Sequence, residues 1–367
     1  MLFLLLFGVY AAWYLQRLIY RKYWNHRLDV DVRFMDSYVY EGDKTTLREE
    51  ISNAKMLPIP ALEVRLVTSR NLEFLGEAGK NASISDQNYQ RDVFSLWGRQ
   101  KVIRTLTVDC KKRGYYPIQK SEIVGYDLLY SQSFYQEFEQ ETSLYVYPRQ
   151  IDTRRIQLIC RAVSGMVLAQ HRLHPDPFEF SGIREYRMSD PMNHINWKAS
   201  ARNNELMVNQ FDSTTNVQIT VILDLEDSGI FRYEELVEES IRITSSLAAE
   251  LVSRGMELDL ISNASELDMH LKNGAGLLQE LNRKLACVDT SCISALISER
   301  IQEECAAKRS GHIYILISKN HREDVAEKAG YLAAGGNQVL WVVPVHPWME
   351  EEGIKSSRVD ELQWEVG

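Results

Sequence analysis

Hydrophobic and polar positions divide the chain into three patterns. Residues 1–15, MLFLLLFGVYAAWYL, carry no charged side chain, and Leu18, Ile19 and Tyr20 extend the run past Gln16 and Arg17. About 20 apolar residues is the length that crosses a hydrocarbon core, so the pattern predicts a transmembrane anchor over 1–24. Tyr10, Trp13, Tyr14, Tyr20, Tyr23 and Trp24 supply interfacial aromatic rings. From Leu28 to Tyr147 the chain alternates in short runs such as LDVDVRF, ALEVRLVTS and KVIRTLTVDC, broken by Gly, Asn and Pro about every ten residues. This predicts an antiparallel, immunoglobulin-like β-sandwich over 28–147. Within it, residues 77–92, rich in Gly, Asn and Ser, read as a mobile loop, and 51–62 and 113–116 as loop and hairpin punctuation.

Past Pro148 the expectation is a linker over 148–212, with a short helix within 153–172 stopped by Pro175-Asp176-Pro177. The pattern then changes. VQITVILDL at 217–225 is a continuous apolar run, the mark of a strand buried on both faces. Tyr233–Arg254 carries Val237, Ile241, Thr244, Leu247, Ala248 and Leu251 at helical spacing, and Gly255 follows as a stop. Strands at 256–262, 312–318 and 338–344, the last of the chain, then alternate with helices at 276–286, 292–308 and 322–334, and ELDMHLK reads as a short edge strand. The alternation predicts a doubly wound α/β domain over 213–367. Ligands of such sheets sit at the carboxyl ends of the strands, which directs attention to Asp224, Ser318 and Pro344.

Charge and composition narrow the function. The 367 residues suffice for two or three domains, and 45% hydrophobic with 25% charged is an ordinary globular balance. A net charge of -9 lacks the basic stripe a nucleic-acid binder needs. Five cysteines at 110, 160, 287, 292 and 305, with no CxxC, suit a reducing compartment. His171 and His174 form an HxxH that reads as loop histidines. No P-loop and no GxSxG elbow occurs, so neither nucleotide hydrolysis nor hydrolase chemistry has a motif. Arg17, Arg21, Lys22 and Arg27 follow the apolar run and no basic residue precedes it. A signal peptide has the reverse order, so the expectation is an uncleaved single-pass anchor in the plasma (inner) membrane with the bulk of the chain cytoplasmic.

The stretch 178–212, FEFSGIREYRMSDPMNHINWKASARNNELMVNQFD, mixes Arg184, Arg187, Lys198 and Arg202 with aromatic rings around Gly182 and an Asp190-Pro191 turn. Guanidinium groups stack on rings and fork onto carboxylates, so the stretch either locks structure together or holds a partner's acidic or phosphate group. The structural role predicts a buried Trp197. Gly182, Arg184, Tyr186, Asp190, Ile195, Trp197, Lys198, Ala201, Arg202 and Leu206 match in type and spacing the signature of the bacterial domain-of-unknown-function fifty-eight family, which the chain resembles. Ser189 departs from a usual Gly, and Asn193 and His194 from usual arginines.

The resemblance implies a membrane-anchored protein, often with two spans, ending in a domain similar to von Willebrand factor A and working beside a MoxR-type AAA+ ATPase. One span more than this sequence carries leaves the final side unchanged. Domains of that type bind a divalent cation through Asp-x-Ser-x-Ser, a Thr and a later Asp. Here Asp224 and Ser228 match, Glu226 replaces the first Ser, Thr290 takes the Thr position, and Ser318-Lys319 stands where the last Asp is expected. Two readings stay open: a modified Mg²⁺ site at Asp224, Glu226, Ser228 and Thr290, or a degenerate site without cofactor. The function expected is that of a non-enzymatic adaptor with no catalytic residues, recruiting the ATPase and its client for assembly or maturation of cell-envelope complexes. The alternatives are a metal-dependent adhesion protein, or an enzyme with residues converging around Asp224, Glu226 and Arg202.

Overall fold

Helix α1 (Leu2–Tyr23) forms where the sequence is continuously apolar, and its span Phe3–Tyr23 is long and apolar enough to cross a membrane. In this computed structural model, residues 2–75, 82–84, 87–173, 180–187, 190, 192, 195–211, 218–227, 232–272, 274–290, 293, 295–349 and 359–366 are described. The chain divides into two units, Met1–Arg149 with Leu285–Cys287, and Gln150–Lys284 with Val288–Gly367.

In the first unit, α1 exposes most of its apolar side chains, with Trp13 half-buried, until its last turn enters the core of a β-sandwich. Tyr20 is buried and donates its hydroxyl to the Pro58 carbonyl at 2.7 Å. Trp24 is buried too, and stacks on Phe134 with ring centroids 5.6 Å apart. Its indole packs against Gly125, where an added Cβ would fall 2.6 Å from the ring. Gly125→Ala is therefore expected to destabilise this unit by about 1–3 kcal/mol, because a rigid ring cannot yield as a flexible side-chain end would. Urea unfolding followed by tryptophan fluorescence measures it.

The sandwich has two sheets. One runs β1-β3-β8-β5, from β1 (Leu28–Phe34), β3 (Lys44–Asn53), β5 (Leu72–Phe74) and β8 (Gln100–Cys110). The other runs β2-β10-β9-β4-β7-β6, from β2 (Tyr38–Tyr40), β4 (Ile59–Ser69), β6 (Ala82–Ile84), β7 (Gln87–Leu96), β9 (Gly114–Tyr126) and β10 (Ser133–Tyr147). All pairs are antiparallel except β2 with β10, which is parallel. Leu47, Ile51, Leu62, Val64, Leu66, Leu106, Val108, Ile123 and Leu144 fill the core.

Strands β6 and β7 correct the expectation of a mobile loop at 82–84 and 87–92, while residues 77–81, 85 and 86 lie outside the described residues. The alternation of β7 is hidden because two of its inward positions are polar. Gln90 and Asp92 are both buried, and Gln90 Nε2 donates to Asp92 Oδ2 at 2.9 Å. Asp92 is paired with Arg104 on β8, which sits in register opposite Glu49 on β3. Glu49 is 1% exposed, and neither of its carboxylate oxygens has a hydrogen-bond partner among the described residues. Burial, with the nearby Asp92 charge, pushes its carboxyl up to about 7 against the opposing pull of Arg104.

The second unit begins with a correction as well. In place of a linker with a short helix, α2 (Thr153–Leu173) is continuous over 21 residues. Ile156, Ile159, Cys160, Val163 and Met166 recur every three or four positions and are buried, so one face of the helix belongs to a core. Arg155 pins it further, with its guanidinium 4.3 Å from the Trp364 ring centroid. His171 lies in the last turn of this helix and not in a loop, and His174 lies outside the described residues.

Next come β11 (Phe180–Glu185), α3 (Trp197–Asn203) and β12 (Met207–Phe211), with β11 and β12 forming a separate antiparallel pair. The rest is an α/β domain: β13 (Ile219–Leu223), α4 (Glu234–Ser253), β14 (Leu258–Ser262), β15 (Met269–Leu271), α5 (Ala275–Cys287), α6 (Ile297–Ala306), β16 (Ile313–Ile317), α7 (Glu323–Ala334), β17 (Gln338–Val345) and β18 (Asp360–Glu365). Its six-stranded sheet runs β15-β14-β13-β16-β17-β18, parallel except for the β15 edge. The predicted last strand, β17, is followed by β18, whose sequence DELQWE has no apolar run to betray it; it lies at the edge and buries only Trp364 among its side chains.

Candidate functional site

Strand order turns about β13, with β14 on one side and β16 on the other, and this is where an open α/β sheet forms its crevice. Asp224 stands directly after β13 and is buried. Its Oδ1 accepts from Asn263 Nδ2 and from the Glu226 backbone N–H, both at 2.9 Å. Its Oδ2 accepts from Ser318 Oγ at 2.6 Å and Asn320 Nδ2 at 2.8 Å. Asn263 follows β14, and Ser318 and Asn320 follow β16, so one carboxylate ties together the carboxyl ends of three adjacent strands. Burial pushes the Asp224 carboxyl above its usual range, and the Ser318, Glu226 and Asn320 hydrogen bonds oppose this.

The next two acids are paired with cations. Glu226 accepts from Arg322 Nη1 at 2.7 Å, and Asp227 pairs with Lys319, whose ammonium lies 5.6 Å from the Tyr233 ring centroid. Thr290 lines a 600 Å³ cleft together with Glu226, Asp227, Arg232, Glu234 and Asp289. Thus Glu226 and Thr290, far apart in sequence, share one cleft. Ser228 lies outside the described residues.

A divalent cation at Asp224 needs free carboxylate lone pairs and a local excess of negative charge. Here four protein donors already occupy the carboxylate, and the neighbouring Glu226 and Asp227 charges are already paired with Arg322 and Lys319. Among the described residues, which do not include Ser228, the donor set around Asp224 does not fit a Mg²⁺ ion. Among the described residues no group of three or more His, Cys, Asp and Glu is arranged to hold a metal. Excess Mg²⁺ or EDTA is therefore expected to leave the melting temperature unchanged, whereas a bound cation would raise it by mass action.

The rim residues missing from the sequence reading are Asn263, Asn320 and Arg322. A signal existed: Ile261-Ser262-Asn263 and Ile317-Ser318-Lys319-Asn320 both end a strand in Ile-Ser and reach an asparagine within two residues. Two such ends beside Asp224 are the complementary donors for one buried carboxylate.

The signature stretch is a hairpin that carries a helix. Arg184 forks onto Asp190, with Nη1 to Oδ2 and Nη2 to Oδ1 both at 2.7 Å, and the Arg187 N–H donates to Oδ2 at 2.7 Å. These contacts, the Arg184 fork foremost, hold the Asp190 carboxyl down at about 2. At Gly182 the β11–β12 register slips, and the Tyr186 N–H bonds the Leu206 carbonyl at 2.8 Å. Asn196 caps α3 by accepting from the Ala199 N–H at 2.9 Å, and its amide donates to Asn209 at 2.7 Å. Asn204 closes the helix in the left-handed conformation.

The expectation of a buried Trp197 is corrected. Trp197 is 66% exposed, and no residue of α3 is buried. Ile195 and Val208 hold the hairpin together underneath, while Met192, Leu206, Lys198 and Arg202 are exposed. The arginine of this stretch that locks structure is Arg184. No hydrogen bond or ion pair joins Arg202 to Asp224 or Glu226 among the described residues. Ser189, Asn193 and His194 lie outside those residues.

Together these features define a chain with an N-terminal apolar helix rooted in a β-sandwich, followed by a capped hairpin–helix signature and a mostly parallel α/β sheet. Residues 182–351 match the family described as protein of unknown function DUF58, which supports a place for the chain in that family. No curated protein matches it. Among solved structures, a CARDB domain from Pyrococcus furiosus is 13% identical, covering 32% of this chain and 94% of its own, at a TM-score of 0.19. A non-cellulosomal cohesin from Archaeoglobus fulgidus is 11% identical over 32% of this chain and 91% of its own, at 0.22. The major pilin SpaD of Corynebacterium diphtheriae is 10% identical over 30% of this chain and 34% of its own, at 0.23. Similarities of this size have no bearing on function.

Proposed function

We propose that this chain is a non-enzymatic adaptor anchored in the plasma (inner) membrane by α1, with its domains in the cytoplasm. Its α/β domain, similar to von Willebrand factor A, recruits a MoxR-type AAA+ ATPase and its client. The ATPase as partner comes from the family resemblance, and the observation that carries the docking role is the exposed face of α3. A tryptophan that contributes nothing to the core, flanked by Lys198 and Arg202, has the composition of an interface anchor.

Three further features support the reading. Tyr20 and Trp24 are core residues of the sandwich, so cleavage of α1 as a signal sequence would remove part of the core. Basic residues at 17, 21, 22 and 27 follow the apolar run, the order that retains the following domain in the cytoplasm. The rim at Asp224 is closed by protein donors and cations, which favours metal-independent docking over cation-bridged adhesion.

Trp197→Ala tests this. Its expected effect on stability is below about 0.5 kcal/mol, as for other exposed positions. Co-purification of the ATPase from cross-linked native membranes is expected to be lost, and nucleotide is expected to modulate it in the parent. A large drop in melting temperature with recovery unchanged would return Trp197 to a structural role and sink the docking assignment.

A further inference from the structure

The turn joining β9 to β10 exposes three consecutive large apolar or aromatic side chains, Leu128 at 50%, Leu129 at 61% and Tyr130 at 62%. Hairpin turns ordinarily carry Gly, Asn, Asp or Ser, which suit tight backbone geometry and water. Tyr130 is further out of place, because its φ of 54° lies in the left-handed region that favours glycine or asparagine. Its ring leans on that of Tyr126, with centroids 5.7 Å apart, yet stays mostly exposed at a position where neither solvation nor backbone preference calls for it.

The turn is also firmly held. Asp127 is buried and accepts from the Ser131 N–H at 2.6 Å and from Ser131 Oγ at 2.5 Å. Gln16 of α1 donates its Nε2 to Asp127 Oδ2 at 3.0 Å. This bond fixes the turn against the helix. Beyond it, Leu128 and Leu129 line a 610 Å³ groove with Leu6, Val9, Tyr10 and Trp13, inside the apolar run of α1. Gln16 to Val9 is seven residues, a rise of about 10 Å along a helix. The turn leucines therefore lie beside helix residues that have no place in water.

We infer that the Leu128-Leu129-Tyr130 turn is a second membrane contact, inserting beside α1 so that the two leucines meet lipid acyl chains and Tyr130 sits among the headgroups. The inference rests on the reading of α1 as a membrane anchor. Its occupant is lipid because the groove is continuous with the lipid-facing side of that helix, and because an apolar body with a polar tip is what the bilayer interface accepts. Two contacts, one through α1 and one through the turn, would fix the tilt of the sandwich on the membrane, which a helix free to swivel cannot do.

The test uses the full chain in phosphatidylcholine–phosphatidylglycerol vesicles. Cys287, Cys292 and Cys305 are replaced by serine, and a single cysteine carrying an environment-sensitive fluorophore is placed at Leu129, Val9 or Ile103. All three side chains are exposed, so the fold tolerates the changes. The unsubstituted serine background sets the contribution of the buried Cys110 and Cys160. Lipids with a nitroxide high on the acyl chain are the quencher. The expected result is that the label at 129 is blue-shifted and loses most of its fluorescence, as at 9, while the label at 103 is unaffected. Quenching at 9 without quenching at 129 would overturn the turn insertion and leave the anchor standing, with protein as what covers the turn. No quenching at either position would remove the anchor and the inference with it.

Discussion

Asp224→Ala is expected to destabilise the second unit by about 3–5 kcal/mol, whether or not Mg²⁺ is present. The mutation removes the acceptor shared by Asn263, Asn320, Ser318 and the Glu226 N–H, and these donors converge from the ends of three strands in a buried site. Each buried donor left without a partner costs about 1–3 kcal/mol, and the relief of desolving one carboxylate offsets part of the sum. Asp224→Asn keeps one accepting oxygen and is expected to lose roughly half as much. Urea unfolding reports it, with Trp341 as a local probe because its indole donates to the Ser318 carbonyl at 3.1 Å. An Asp224→Ala chain as stable as the parent would show that the carboxylate is no structural staple and reopen a ligand role.

The second large effect is a pH dependence in the first unit. Glu49 titrates at about 7 when folded against 4.5 as its ordinary value. Between these pH values the folded chain holds a proton that the unfolded chain has released, so stability falls as pH rises through that window and levels off above it. The maximum loss is about 3 kcal/mol. Glu49→Gln, which cannot ionise, is expected to match the parent near pH 5 and to exceed it by about 1–3 kcal/mol near pH 8. Unfolding curves across that range decide it. Equal pH slopes for parent and variant would mean that Glu49 is ionised and compensated in the fold.

These two carboxylates also show why parts of the structure were legible in sequence and others were not. Asp224 ends an uninterrupted apolar run, so its place on the rim followed from the length and composition of that run. The alternation of helix and strand after residue 217 carried the α/β domain for the same reason. Strand β7 was not legible because Gln90 and Asp92 occupy inward positions, and an alternation test reads a polar side chain as outward. Helix α2 follows a break at Pro148 and precedes two more prolines at 175 and 177, which obscured the regular spacing of Ile156, Ile159, Val163 and Met166. Edge strand β18 has a single buried side chain, Trp364.

The signature stretch is a different case. Its ten matched positions identified the family, but residue types alone do not say which way a side chain faces. Arg184, a cation, turned out to be the internal clamp on Asp190, while Trp197, the largest apolar residue, faces water. The clamp and the Asn196 cap explain how so short a helix persists with no buried residue. Among the described residues nothing covers the exposed face of α3, and the docking assignment rests on that face.

The most direct measurement is site-specific photocross-linking of the full chain in its native membranes, with a benzophenone amino acid at position 197 and, as a control, at position 103 on the exposed side of β8. A nucleotide-sensitive cross-link to the AAA+ ATPase from 197 and none from 103 is the predicted result. A chain that stays folded and anchored but yields no cross-link from 197, or the same product from both positions, would contradict the proposed docking face.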